Sequence, residues 1–212
     1  MPRKRQHVPL RVLLNNRLVG HLLKELSGAI SFQYAESWLS RSDAIPLSLS
    51  LPLREDAYRG QRVVAVCENL LPDSETLKRL IAGRIGAAGT DAYSLLSQIG
   101  RDCVGALQFV PDDHDAVYDT SRIDGQVIAD HDVERLLKNL ARAPLGLATD
   151  EEFRISIAGA QEKTALLRYD GKWLKPHGTT PTTHILKTQI GTLPDGIDLS
   201  NSVENEYYCR IG

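Results

Sequence analysis

The sequence predicts an α+β fold, with a strand-rich amino-terminal module followed by a second, separate sheet. Two observations carry this. Runs in which apolar and polar residues alternate, so that one set lines one face of a strand, fill the early part of the chain and return from Phe153 onward. Between them lie segments whose apolar residues recur at helical spacing, such as Val133, Leu136, Leu137 and Leu140. On this pattern residues 1–110 form a β-rich module, 111–150 a connecting loop and helix, and 151–212 a second sheet leading into a helix.

Leu10–Leu14 and Arg17–Leu23 flank Asn15-Asn16, residues that accept left-handed backbone, and so predict a hairpin with a two-residue turn. Ile30, Phe32 and Tyr34 predict the next strand, and the alternation of Leu47, Leu49, Leu51 and Leu53 predicts another, where Pro52 marks a sheet edge or a strand end. Helices are expected from residue 63. Asp73 or Ser74 caps one that Gly83 stops, and a second runs from Thr90 to Gly100 before a strand at Gly105–Val110. Asp130 opens an amphipathic helix that Pro144 closes. Strands at Phe153–Ile157 and Thr164–Tyr169 follow, then an Asp170-Gly171 turn into Lys172–Lys175 and a strand over Thr183–Ile190. Ser200 or Asn201 caps the last helix.

Composition narrows the function. The 212 residues are 42% hydrophobic and 25% charged with a formal net charge of -2, so bulk electrostatics select no partner. The basic start Pro2–Arg5 reads as a solvated tail. No apolar run approaches the roughly 18 residues of a membrane helix, and none follows Arg5 as a signal peptide requires, which predicts a cytoplasmic protein without membrane contact. Cys67, Cys103 and Cys209 lie far apart and read as reduced thiols, and the six histidines are too scattered for a metal cluster. His184 reads as a packing or hydrogen-bonding residue.

The region after residue 150 carries the chemistry. A small-residue loop, Ala158-Gly159-Ala160-Gln161-Glu162-Lys163, stands between strands; a strand lysine, Lys187, follows; then comes a helix bearing Glu204 and Glu206. That order suits nucleotide phosphates: small side chains let backbone N–H groups approach, lysine supplies a compact charge, and a helix carboxylate holds the lysine in place. The plain alternatives are a turn glycine and an exposed strand lysine. The loop is neither G-x-G-x-x-G nor a Walker A sequence.

The segment Phe153–Leu167, with Ile155-Ser156-Ile157-Ala158-Gly159-Ala160-Gln161-Glu162-Lys163 at its centre, strongly resembles the phosphate-loop segment of HipA toxins. Pro181–Lys187 and Ser202–Cys209 extend the resemblance in the same order. Pro46–Leu53, Glu68–Ser74 and Ile99–Asp102 carry it into the amino-terminal region, so it covers nearly the whole chain. The resemblance implies the amino-terminal half of a serine/threonine-protein kinase toxin of a toxin–antitoxin system linked to persistence. Such a kinase uses ATP and Mg2+, has glutamyl-tRNA synthetase as a family target, and is neutralised by a HipB-like helix-turn-helix antitoxin through which alone it meets DNA. It further implies that Ala158–Lys163 and Lys187 contact ATP, that Glu206 in preference to Glu204 pairs with Lys187, and that Ser156 is the autophosphorylation site; otherwise Ser156 is a strand-end serine. The family's catalytic base and metal-binding aspartate belong to a helical lobe with no counterpart here: the sequence has no D-F-G, H-R-D or Asp-Gly-His segment. The chain alone is therefore expected to be inactive, and a non-catalytic subunit binding the antitoxin or a separate kinase chain is the alternative, with a plain structural remnant third.

Overall fold

The computed structural model describes residues 7–101, 103, 106–112, 123–140, 163–178, 180–192 and 195–211. The chain divides into two compact units, one comprising Met1–Ile123, Phe153–Gly159 and Gly178–Pro181, the other Asp124–Glu152, Ala160–His177 and Thr182–Gly212.

The first unit is built on an antiparallel sheet. Its strands are β1 (Leu10–Leu14), β2 (Arg17–Lys24), β3 (Ile30–Tyr34), β4 (Tyr58–Arg59) and β5 (Leu107–Pro111), in the order β4-β3-β2-β1-β5. Asn15 (φ 48°) and Asn16 (φ 64°) are both left-handed, so the β1–β2 hairpin turns as the sequence predicts. Register sets Leu10 opposite Leu22, Val12 opposite Phe109 and Leu22 opposite Phe32, which gathers these buried side chains on one face. Gly20, opposite Val12, has no room for a side chain: a Cβ there would stand 2.2 Å from the Gln33 carbonyl oxygen and 2.8 Å from the Phe32 ring.

Helices α1 (Glu36–Leu39), α2 (Gln61–Glu68), α3 (Glu75–Ile85) and α4 (Ala92–Ile99) complete the unit. Ser74 caps α3, its hydroxyl accepting the Leu77 N–H at 3.3 Å. The helix runs through Gly83 and ends at Gly86, whose φ of 65° lets the Ala87 N–H reach the Ala82 carbonyl. A glycine inside a helix costs only about 1 kcal/mol, and burial of Ile81 and Ala82 outweighs it. Asp91 caps α4 and also accepts from Lys24 Nζ at 2.9 Å. Burial pushes that carboxyl up, but the hydrogen bonds from Ser94 and Lys24 outweigh burial and hold it below the usual range. Burial drives the Cys67 thiol up to about 12, so it is an inert core residue.

The strand expected over Leu47–Leu53 is instead a pinned loop. Leu51 is buried at 1% exposure while Leu49 is 97% exposed, so the alternating leucines do not share a face. Ser48 and Leu51 close a turn by a single bridge. The Tyr34 hydroxyl donates to the Leu51 carbonyl at 2.5 Å and accepts the Leu47 N–H at 2.8 Å. One phenol from β3 thus satisfies the backbone that a neighbouring strand would otherwise pair.

The second unit has a four-stranded antiparallel sheet, β6-β8-β7-β9, formed by β6 (Gly125–Ile128), β7 (Lys163–Tyr169), β8 (Lys172–Pro176) and β9 (His184–Lys187). Strand β6 falls in the stretch that the sequence assigns to a connecting loop and helix. It is too short to alternate visibly, and pairing with β8 defines it. Helix α5 (Asp130–Leu140) follows β6 as predicted, and Asp170 (φ 49°) with Gly171 (φ 71°) makes the expected turn between β7 and β8. The predicted strand over Phe153–Ile157 and the closing Pro144 lie outside the described residues. Among the described residues no helix is long and apolar enough to cross a membrane.

Removing the Tyr34 hydroxyl with Tyr34→Phe leaves two backbone groups of the 47–51 loop without their partner. Urea denaturation is expected to show a loss of about 1–3 kcal/mol with an unchanged m-value. A loss near zero would show that the hydroxyl does not hold the loop.

Candidate functional site: a lysine pair and a helix carboxylate

The β7–β9 register sets Lys163 directly opposite Lys187, and Ala165 opposite Ile185. Directly opposed residues of an antiparallel pair project from the same face, so two ammonium-bearing side chains stand side by side. Lys163, which the sequence analysis places at the end of the small-residue loop, is the first residue of β7 and is buried. Like charges directly opposed disfavour the sheet by an amount on the order of 0.2–1 kcal/mol, so the position demands anions.

One anion is built in. Strand β9 ends at Lys187, a two-stranded ribbon of β10 (Gly191–Thr192) and β11 (Asp198–Leu199) follows, and α6 (Ser202–Ile211) begins three residues later. Within the turn into α6, the Ser200 hydroxyl and N–H both donate to Asp198, and those bonds hold its carboxyl below the usual range. Helix α6 then delivers Glu206 to the lysine. Lys187 Nζ donates to both carboxylate oxygens, at 2.7 and 2.8 Å. The two side chains are 26% and 34% exposed, half-buried and open to solvent on one side. Glu204, two residues earlier, is exposed on another side of the helix.

The opposite face of this sheet carries a separate cluster. The Arg168 guanidinium lies over the Trp173 ring at 4.9 Å, and His184 meets that ring edge-on at 5.1 Å. Thr183 Oγ1 accepts the Arg168 N–H and lies 2.8 Å from His184 Nδ1. His184 is the packing and hydrogen-bonding residue that the sequence suggests, and the cluster fastens β9 to β7 beyond their ladder. Ser156 and Ala158–Glu162 lie outside the described residues. Among the described residues no group of three His, Cys, Asp or Glu stands where it could hold a metal ion.

With this geometry in hand, comparison with known proteins gives a consistent family. Residues 10–110 match the model of the HipA N-terminal domain. A relative from Sinorhizobium fredii named "Putative kinase Y4mE" is 33% identical over 94% of this chain and 46% of its own length. The serine/threonine-protein kinase toxin HipA of Shewanella oneidensis is 27% identical over 84% of the chain and 39% of its own. The solved complex of Shewanella oneidensis HipA with HipB and operator DNA matches with a TM-score of 0.61 at 25% identity, over 83% of this chain and 39% of that one. The chain is a HipA-like amino-terminal half. It spans less than half the length of these relatives. Strands β1 to β5 and helices α1 to α4 lie in or at the edge of the matched HipA N-terminal domain, whereas Lys163, Lys187 and Glu206 lie beyond it, in the second unit.

A half-exposed ion pair contributes about 0–1 kcal/mol to folding. Glu206→Gln is therefore expected to change the unfolding free energy by less than about 1 kcal/mol in urea denaturation. A larger loss would make the pair a structural element of the HipA-like fold and not a prepared site.

Proposed function

We propose that this chain is the nucleotide-binding portion of a HipA-like serine/threonine-protein kinase toxin, with Lys163 and Lys187 receiving phosphate oxygens of ATP and Glu206 holding Lys187 in position. The observation that carries the reading is the Lys187–Glu206 pair: a strand lysine gripped through both oxygens by a helix carboxylate, with a second lysine directly opposite on the strand pair. Two ammonium groups on one sheet face fit the charge of a polyphosphate, and a pair half open to solvent leaves room for the ligand. The names of the kinase relatives support the same activity. When bound, ATP supplies the γ-phosphoryl group for a protein hydroxyl. The chain's own contribution is to bind and orient the phosphates, with the 158–163 segment covering them. On the family resemblance, the magnesium ion of this reading takes its protein ligands from the family's helical lobe.

Ser156, two residues before that covering segment, is the proposed autophosphorylation site: a phosphate there adds about −1.5 to −2 charges beside the nucleotide phosphates and competes with them. A HipB-like antitoxin is the proposed partner, supported by the fold match to a HipA that was solved with HipB. Glutamyl-tRNA synthetase is the proposed substrate of the whole kinase, on the family resemblance. The sequence holds no segment matching the family's catalytic base or metal-binding aspartate, so this chain by itself is proposed to transfer no phosphate.

Calorimetry with ATP tests the reading. A charge-assisted hydrogen bond is worth about 1.5–3 kcal/mol, so Lys187→Ala is expected to weaken ATP by about 10- to 150-fold. Ser156→Asp is expected to weaken it as well, with little change in thermal unfolding. Unchanged affinity in Lys187→Ala would overturn the phosphate assignment, and unchanged affinity in Ser156→Asp would return that serine to a structural role.

A further inference from the structure

Among the described side chains, helix α6 meets the rest of its unit through a narrow strip. Of its described side chains from Ser202 to Cys209, only Ser202 and Glu206 are not exposed, while Tyr207 and Tyr208 are 67% and 76% exposed. Ser202 and Glu206 are one helical turn apart and so stand one above the other on the same face. Each is tied to the strand segment that bears Lys187. Ser202 Oγ accepts the Ile190 N–H at 2.9 Å, and Glu206 accepts from Lys187 Nζ. The two anchor points on the helix, four residues apart, thus meet two on the strand side, three residues apart.

We propose that Ser202 is a positioning residue: its bond to the Ile190 amide fixes where α6 starts, and thereby fixes the carboxylate that orients Lys187. The inference rests on the nucleotide reading for its functional consequence and on geometry alone for the tether. An ion pair of long side chains tolerates sliding and rotation, because Lys and Glu each have several rotatable bonds. A helix held by that pair alone would pivot about it. A second, short-armed tether one turn away removes the pivot, since a serine hydroxyl has one side-chain torsion and the amide it accepts is part of the backbone. The β10–β11 ribbon limits the same movement from the chain side, as Gly191, next to Ile190, pairs with Leu199, three residues before Ser202. From sequence the cap of this helix falls to Ser200 or Asn201, and Ser202 is assigned no separate role. In the structure its hydroxyl is spent as an acceptor outside the helix.

The test uses the whole chain in three variants. Ser202→Ala and Ser202→Val lack the acceptor, and Ser202→Thr, shaped like valine, keeps it. Hydrogen exchange of the Ile190 amide reads the tether, NMR of the Lys187 ammonium reads the pair, and ATP titration reads the consequence. The Ala and Val forms are expected to lose protection at Ile190, to shift the Lys187 signal toward that of Glu206→Gln, and to bind ATP about 3- to 10-fold more weakly, the worth of one hydrogen bond. The Thr form should restore all three. A Lys187 signal that stays put while Ile190 loses protection would overturn the positioning role, as would equal behaviour of Val and Thr. If no form binds ATP, the nucleotide reading fails, and the Lys187 signal still decides the tether.

Discussion

A lysine ammonium held through both oxygens of a helix carboxylate is the interaction around which the second unit is arranged. Lys187 and Glu206 are 19 positions apart in the chain, and three pieces of structure bring them within 2.8 Å. The β7–β9 ladder places Lys187, the β10–β11 ribbon returns the chain, and α6 carries Glu206. Half-exposed ion pairs contribute little to stability. Such a pair therefore does more as a positional device, setting a cation in one place on a sheet face that already carries a second.

That second cation gives the arrangement its chemical direction. Lys163 opposite Lys187 places two ammonium-bearing side chains on one face, with Glu206 held against Lys187. Such a face favours a ligand with several negative oxygens over a neutral one. The Arg168–Trp173–His184 cluster stands on the other face, where stacking and the Thr183 hydroxyl join β7 to β9. One face thus supports the sheet while the other carries the charge, consistent with a HipA-like protein whose named relatives are kinases.

Much of this was legible in the sequence where single residues decide backbone geometry. Asn15-Asn16 and Asp170-Gly171 announced hairpin turns because few other residues adopt left-handed conformations without strain. Ser74 announced a helix start because its hydroxyl caps. Where tertiary partners decide, the pattern misled. The alternating leucines from Leu47 to Leu53 have strand spacing, yet Tyr34, distant in sequence, pins them as a loop. Gly83 looked like a helix end, but the buried Ile81 and Ala82 carry α3 on to Gly86. Strand β6 is invisible without β8, since no alternation survives in four residues. At the candidate site, residue types and order suggested Lys187 and a helix glutamate, and the family resemblance preferred Glu206 to Glu204. The Lys163–Lys187 opposition depends on register and the Ser202 tether on a backbone amide, and neither leaves a mark in a single sequence.

The central claim is that the face bearing Lys163, Lys187 and Glu206 receives nucleotide phosphates. It is tested most directly by following the backbone and lysine ammonium NMR signals of the chain during titration with ATP. The account predicts changes that saturate together at Lys163, Lys187, Ile190 and Glu206, with the β1–β5 sheet of the first unit undisturbed. Saturable changes confined to the first unit, or none in the second unit at ATP concentrations that saturate binding by calorimetry, would contradict it.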